Sequence, residues 1–208
     1  VGKQATELYN KAVELGLGEK VNPKDIWIKM IASQVSTGTP YTIFIDNINK
    51  YNMMQHFGTI KSLNLCVETS LFASKEETGQ CALGSIPLPY CKDIKKASEV
   101  LSYNINKVID RNKYPTEKAV LGGFNQRTIG IGVAGLAEYL YNKGLHFEHP
   151  YAPAELRKIT KLIYEGAIKG SQRYYEKYGK QFKDYENSYY TTWNLHPCKF
   201  GIDIKDLD

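Results

Sequence analysis

Residues 58–69 read Gly-Thr-Ile-Lys-Ser-Leu-Asn-Leu-Cys-Val-Glu-Thr, and this stretch decides how the rest of the chain is interpreted. It has no helical period, so we expect a loop. Within it an amide, a thiol and a carboxylate alternate at Asn64, Cys66 and Glu68. In an extended loop these three side chains would project to the same side. An amide can orient a hydroxyl, a carboxylate can accept its proton, and a thiol can act as a nucleophile or hydrogen-atom donor.

The spacing alone favours a simpler interpretation of this loop. Asn64 and Glu68 would be solvated, and Cys66 would be a small buried hydrophobic residue, which is common for cysteines outside disulfides. The choice between the two interpretations depends on what surrounds the loop.

Further motifs follow in a fixed order on both sides of the loop. They are Thr37-Gly-Thr-Pro-Tyr41 with Asp46, Cys81-Ala-Leu-Gly-Ser-Ile86, Asn104-Ile-Asn-Lys-Val-Ile-Asp110 leading to Tyr114-Pro115, Arg127-Thr-Ile-Gly-Ile-Gly-Val-Ala-Gly-Leu-Ala137, and Trp193-Asn194. Together with Asn64-Leu-Cys-Val-Glu68, this ordered set resembles the large, catalytic subunit of class I ribonucleotide reductases. The resemblance covers nearly the whole chain.

The resemblance implies a fold and a set of site residues. The fold would be α/β, a partial segment of a ten-stranded α/β barrel with a central finger loop. Cys66 on that loop would be the thiyl-radical cysteine that abstracts the 3′ hydrogen of a ribonucleoside diphosphate. Glu68 would act as base towards the 3′ hydroxyl, and Asn64 would hydrogen-bond the ribose hydroxyls. The backbone from Asn64 through Leu65 and Val67 to Glu68 would line the substrate.

The resemblance also implies a redox role for Cys81. It would be one of two cysteines that reduce the sugar and form a disulfide, which thiol exchange then reverses. The family partner lies upstream of the radical cysteine, and no cysteine precedes Cys66 in this chain. Cys91 and Cys198 cannot be assigned that role from the motif.

By the same resemblance, residues 1–208 are the central part of the catalytic barrel domain, without the N-terminal cone, the first strands and the C-terminal part. The implied partners are the remaining segments of the large subunit and a metal-containing small subunit that supplies the radical. Thioredoxin or glutaredoxin would be the external reductant. The chain itself would bind no cofactor and would be inactive alone.

The glycine pattern at Gly130, Gly132 and Gly135 supports an alternative, because it matches the dinucleotide-binding fingerprint at a strand-to-helix transition. Against it, the expected strand is only Thr128-Ile129, and no acidic residue ends a clear second strand about 20 residues later. We therefore expect these glycines to permit close packing of a strand and a helix. A third possibility is a non-catalytic remnant that serves as an assembly module.

Composition and charge exclude several other classes. The 208 residues are 42% hydrophobic and 24% charged, which is ordinary for a folded chain, and no apolar run is long enough to span a membrane. The net charge of +5 comes from scattered lysines, so neither nucleic-acid nor membrane binding is expected. The four cysteines form no Cys-x-x-Cys pair, and His146 and His149 flank a proline-bounded loop, so we expect no metal site. The expected location is the cytoplasm.

The sequence pattern predicts interleaved helices and strands, with parallel strands favoured over a helical bundle. Helices are expected at residues 5–15, 23–35, 93–112 and 153–178, and a short strand at residues 41–45. Residues 74–84 are expected to be irregular. Few strands can be counted, which indicates that the chain is part of something larger.

Overall fold

A computed structural model of the chain describes residues 2–192. Its helices and strands are, in chain order, α1 (Lys3–Glu14), α2 (Pro23–Thr37), α3 (Ile45–Lys50), β1 (Cys81–Pro87), α4 (Ile94–Arg111), α5 (Glu117–Gln126), β2 (Thr128–Ala134), α6 (Leu136–Tyr141), α7 (Ala152–Tyr178) and α8 (Tyr189–Thr192). Short 3-10 turns lie at Gln55–Phe57, Leu88–Tyr90 and Tyr185–Asn187. The described residues form two compact units.

The first unit contains the described residues up to Asn52 together with Gly58–Ser70, and its two long helices end where the sequence predicts. The Asn22 side chain accepts a hydrogen bond from the backbone of Lys24 at 3.1 Å and caps α2. At its other end, Gly38 adopts a left-handed conformation that a residue with a Cβ would avoid. Neither α1 nor α2 contains a buried residue.

The prediction of a strand at residues 41–45 is wrong. Residues 41–44 are irregular, and Ile45 begins α3. The side-chain amide of Gln34 donates to the Pro40 carbonyl at 2.7 Å and to Thr42 Oγ1 at 3.0 Å. This segment therefore packs against the end of α2 through a side chain and not through a strand ladder.

The second unit contains Met53–Phe57 and the described residues from Leu71 onward, and it carries the sheet. Strands β1 and β2 pair in parallel, with Cys81 opposite Thr128 and Pro87 opposite Ala134. The parallel pairing confirms the expected α/β layering. The prediction of an irregular segment through Gly84 is wrong from Cys81 onward, and the sequence pattern missed α5.

Helices α4 and α7 pack tightly across small residues in the second unit. Ser98 Oγ donates to the Ile163 carbonyl at 2.6 Å, and Ser102 Oγ donates to the Ala167 carbonyl at 2.8 Å. A Cβ on Gly170 would lie 2.3 Å from the Glu99 carbonyl oxygen, so only glycine permits this approach. The apolar core lies beside this contact and consists of Ile86, Leu88, Ile94 and Ile159.

Candidate active site

The predicted catalytic loop forms a tight turn in the first unit. The Val67 backbone N–H donates to the Asn64 carbonyl at 3.1 Å, and Leu65 and Cys66 lie at the tip. Val67 has a φ of 66°, which is rare for a β-branched residue because its side chain crowds the backbone. The assumption of an extended loop is therefore wrong, and the alternation argument does not apply to this turn.

The turn presents its polar groups to solvent. Asn64, Cys66 and Glu68 are exposed, so the expectation of a buried Cys66 is also wrong. Asn64 Oδ1 accepts a hydrogen bond from the Thr69 backbone N–H at 3.1 Å, which holds the amide across the turn. Leu65 at the tip is 85% exposed. The turn thus exposes an amide, a thiol and a carboxylate within five residues of the chain.

Cys81 belongs to the second unit, where it begins β1. Its thiol lies 4.0 Å from the Ala82 carbonyl oxygen. Cys81 and Thr128 both line a small cavity of about 60 Å³ that also contacts Tyr114 and Asn112. The cysteine is only partly exposed, in contrast to Cys66.

The loop before Cys81 is anchored to α5 by side chains. Glu77 accepts hydrogen bonds from Asn125 Nδ2 at 3.0 Å and from Gln126 Nε2 at 2.8 Å. A Cβ on Gly122 would lie 1.7 Å from the Thr78 carbonyl oxygen, so the loop approaches the helix where only glycine fits. These contacts fix the start of β1 and hence the position of Cys81.

Sequence reasoning missed a buried ion pair between α4 and the C-terminal end of α5. Arg127 Nη1 donates to Asp110 Oδ1 at 2.7 Å, and Lys180 Nζ lies 2.9 Å from Asp110 Oδ2. Tyr174 OH also donates to Asp110. Burial would raise the pKa of Asp110, but the hydrogen bonds from Tyr174, Arg127 and Lys180 lower it to about 2. The motifs contained Asp110 and Arg127, but only the fold shows that Asp110 on α4 pairs with Arg127 at the end of α5.

The glycines of the dinucleotide pattern have packing roles. Gly130 and Gly132 lie inside β2, not in a loop after a strand. A Cβ on Gly130 would lie 2.5 Å from Leu83 Cδ2, and one on Gly135 would lie 2.7 Å from Pro89 Cδ. A pyrophosphate needs the glycine turn beyond the strand end, so this geometry does not support the dinucleotide interpretation.

The other predicted features lie partly among the described residues and partly outside them. Cys91 packs against the core, and no group of three or more metal-ligating side chains occurs among residues 2–192. Within the same part of the chain, no helix is long and apolar enough to cross a lipid bilayer. Cys198 and Trp193-Asn194 lie outside the described residues.

Comparison with known proteins extends the resemblance. Residues 1–205 match the model of the ribonucleotide reductase barrel domain. The ribonucleoside-diphosphate reductase large subunit of Trypanosoma brucei brucei is 36% identical over 86% of this chain and 22% of its own length. The large chain of Encephalitozoon cuniculi is 37% identical over 90% of this chain and 25% of its own length.

A solved structure is also similar to this chain. The class Id ribonucleotide reductase alpha subunit of Actinobacillus ureae has a TM-score of 0.66 and 29% identity, covering 76% of this chain and 32% of that one. The chain spans about a quarter of the length of the curated relatives that it matches. The match to the domain model over almost the whole sequence shows that this chain belongs to the ribonucleotide reductase barrel-domain family.

Proposed function

We propose that this chain is the central part of a ribonucleotide reductase catalytic barrel and acts in the radical-based reduction of ribonucleoside diphosphates to deoxyribonucleoside diphosphates. The domain match over residues 1–205 carries this proposal. The strained turn at Val67 supports it, because uncommon backbone conformations cluster at functional sites. The complete barrel would have ten strands with the Asn64–Glu68 turn on its finger loop.

Cys66 starts the reaction on the sugar. As a thiyl radical it takes the 3′ hydrogen atom, which regenerates the thiol and leaves a carbon radical at C3′. Glu68 accepts the proton of the 3′ hydroxyl as general base. The 2′ hydroxyl then takes a proton from a thiol of the reducing pair to which Cys81 belongs and leaves as water. The exposure of the Cys66 thiol and the Glu68 carboxylate at one turn supports these roles.

Asn64 positions the ribose. Its Oδ1 is engaged by the Thr69 N–H, so its Nδ2 hydrogens are the groups that would donate to a ribose hydroxyl. The backbone of Leu65, Cys66 and Val67 would line the sugar that Asn64 holds. The turn thus combines a hydrogen-atom carrier, a base and a hydrogen-bond donor.

Cys81 supplies reducing equivalents. Two electrons are needed for each 2′ hydroxyl lost as water, and two thiols provide them by forming one disulfide. Cys81 would be one of these thiols, and its partner would come from another segment of the large subunit. A dithiol protein of the thioredoxin or glutaredoxin type would then reduce the disulfide.

The activity requires other chains or segments. The apolar side chains exposed on α1 and α2, such as Trp27 at 57%, would pack against the remaining segments of the large subunit. The radical would come from a metal-containing small subunit, since this chain would carry no cofactor of its own. Such an assembly would work in the cytoplasm.

The function is tested by measuring deoxyribonucleoside diphosphate formation in an assembly of this chain with the remaining large-subunit segments and the small subunit. Glu68→Gln should lower turnover by about 10²-fold or more while substrate still binds, because the amide keeps the volume but not the basicity. Glu76→Gln, a change at another exposed glutamate, is the matched control and should leave turnover unchanged. Turnover by Glu68→Gln equal to that of the control would contradict the assignment of the base.

A further inference from the structure

A hydroxyl beside Cys81 has no role in the chemistry described so far. Thr128 Oγ1 is buried, and no hydrogen-bond partner for it occurs among residues 2–192. Leaving a buried hydroxyl without a partner is unfavourable, and such groups in folded proteins call for an explanation. Thr128 also lines the cavity that contacts Cys81.

The strand register places this hydroxyl next to the thiol. Cys81 lies directly opposite Thr128 in the parallel ladder. A Cβ on Gly130 would lie 3.1 Å from Cys81 Sγ, so the sulfur covers the face of β2 on which Gly130 lies. Residues two apart in a strand share a face, so the Thr128 side chain is on the same side as the sulfur.

The protonation state of Cys81 decides whether the two groups can bond. In the thiol, the hydrogen is directed towards the Ala82 carbonyl oxygen, 4.0 Å from the sulfur. A thiolate has no hydrogen to donate and becomes an acceptor. Thr128 lines the same cavity as the sulfur, and rotation about its Cα–Cβ bond to another staggered rotamer would turn its hydroxyl towards the thiolate.

We propose that Thr128 is a positioning residue for Cys81, whose hydroxyl donates a hydrogen bond to the thiolate form of that cysteine. This inference rests on the redox role proposed for Cys81. When an external dithiol reduces the disulfide, its thiolate bonds to the partner sulfur and the S–S bond breaks. The electron pair of that bond stays on Cys81 as a thiolate. The Thr128 hydroxyl stabilises this leaving sulfur and so favours reduction.

Among the described residues, titratable or charged side chains near this cavity come from α4, from the segment after it and from the end of α5. Tyr114 lines the same cavity, and burial raises the pKa of its phenol, so it stays neutral near pH 7. Lys107 and Arg111 line a second hollow on α4 that shares Val108 and Asn112 with this cavity, and Lys107 Nζ lies over the Tyr103 ring. Arg127, which precedes Thr128, is engaged with Asp110.

The test is the pH profile of iodoacetamide alkylation at Cys81 in the reduced, assembled large subunit, resolved by peptide mass spectrometry. Thr128→Val keeps the branched shape but removes the donor. We expect the midpoint of the Cys81 profile to move to higher pH by about one pH unit, as for loss of a hydrogen bond to a charged sulfur. Thr128→Ser should restore the midpoint, since it keeps the hydroxyl. Cys91 is the internal control, and its profile should not move.

A Cys81 midpoint that is the same in Thr128→Val and in the unchanged protein would overturn the proposal. A shift that Thr128→Ser does not reverse would also overturn it, since that result indicates altered packing. Alkylation does not depend on turnover, so the outcome is separate from the redox role. If Cys81→Ser retained full deoxynucleotide formation while the Thr128→Val shift was observed, the redox role would fail and the hydrogen bond would stand.

Discussion

The two units of the chain differ in how much of their apolar surface they bury. In the second unit, Ile105 and Ile109 on α4 and Ile159 on α7 are each at most 5% exposed. Among the described residues of the first unit, Ile60 is the only buried side chain, and α1 and α2 bury none. The second unit therefore supplies its own core. The first unit, which carries the Asn64–Glu68 turn, leaves the apolar side chains of α1 and α2 exposed, and the proposed assembly would cover them.

Hydrogen exchange of the isolated chain gives the largest test of this difference. Amides of α1 and α2 should exchange about 10³-fold faster than those of α4 and α7, because helices without buried contacts open at little cost in free energy. In the assembly with the remaining segments, α1 and α2 should become protected. Equal protection of all four helices in the isolated chain would contradict the comparison.

A second test, of the second unit alone, measures how much the buried carboxylate of Asp110 contributes to stability. Asp110→Asn leaves Arg127 without its charged partner and should lower the free energy of unfolding by about 3–5 kcal/mol. Urea denaturation followed by far-ultraviolet circular dichroism measures this. Asp184→Asn, at an exposed position, is the control and should change little.

The Asp110–Arg127 ion pair also predicts how the stability of the protein changes at acidic pH. The pKa of Asp110 is lowered to about 2 in the fold, so its carboxylate stabilises the protein fully above the ordinary aspartate pKa near 3.8. That contribution should be lost progressively as the pH falls from about 4 towards 2. In Asp110→Asn the decrease in stability over this range should be smaller. An identical decrease in both proteins would show that Asp110 does not contribute it.

The test with the smallest expected effect compares a buried isoleucine with an exposed one. Ile105→Ala removes a buried side chain from α4. In urea denaturation it should lower the free energy of unfolding by about 2–5 kcal/mol. Ile26→Ala removes a side chain on α2 that is 53% exposed. In the isolated chain it should lower the free energy of unfolding by less than about 0.5 kcal/mol. In the assembly the cost of Ile26→Ala should rise. Equal costs for the two changes in the isolated chain would remove the distinction between the units.

Local signals predicted the four long helices α1, α2, α4 and α7, but not α3 or α5. Asn22 and Pro23 marked the start of α2, and Gly179 marked the end of α7, since caps act through neighbouring backbone groups. Strand β1 was missed because its pairing partner begins 47 residues later and its start is held by Glu77 contacts to α5. Such non-local contacts leave no period in the sequence.

Helix α4 shows a second limit of the sequence pattern. The helical spacing of its apolar residues puts Val100 and Val108 on the same face as Ile105 and Ile109, but these two valines are 43% and 56% exposed. The buried face instead includes Ser98 and Ser102, whose hydroxyls bond to carbonyls of α7. Small polar residues become buried when a partner helix with glycines approaches closely, and only the partner reveals this.

The shape of the candidate site was not predictable from the sequence, and its residues remain a prediction. Asn64, Cys66 and Glu68 were identified through the order of motifs around them. The turn that presents them depends on the positive φ of Val67, which its residue type disfavours. Thr128 carried no sequence signal, because its place beside Cys81 depends on the register of two strands.

The most direct test of the central claim is deoxyribonucleoside diphosphate formation by the assembled reductase carrying Cys66→Ser. We expect loss of turnover, because a serine O–H bond is too strong to replace a thiol S–H bond in hydrogen-atom transfer. Cys91→Ser, at a cysteine that packs against the core, should retain turnover and serves as the control. Formation of deoxynucleotide by Cys66→Ser at the rate of the unchanged protein would contradict the claim that this turn carries the radical cysteine.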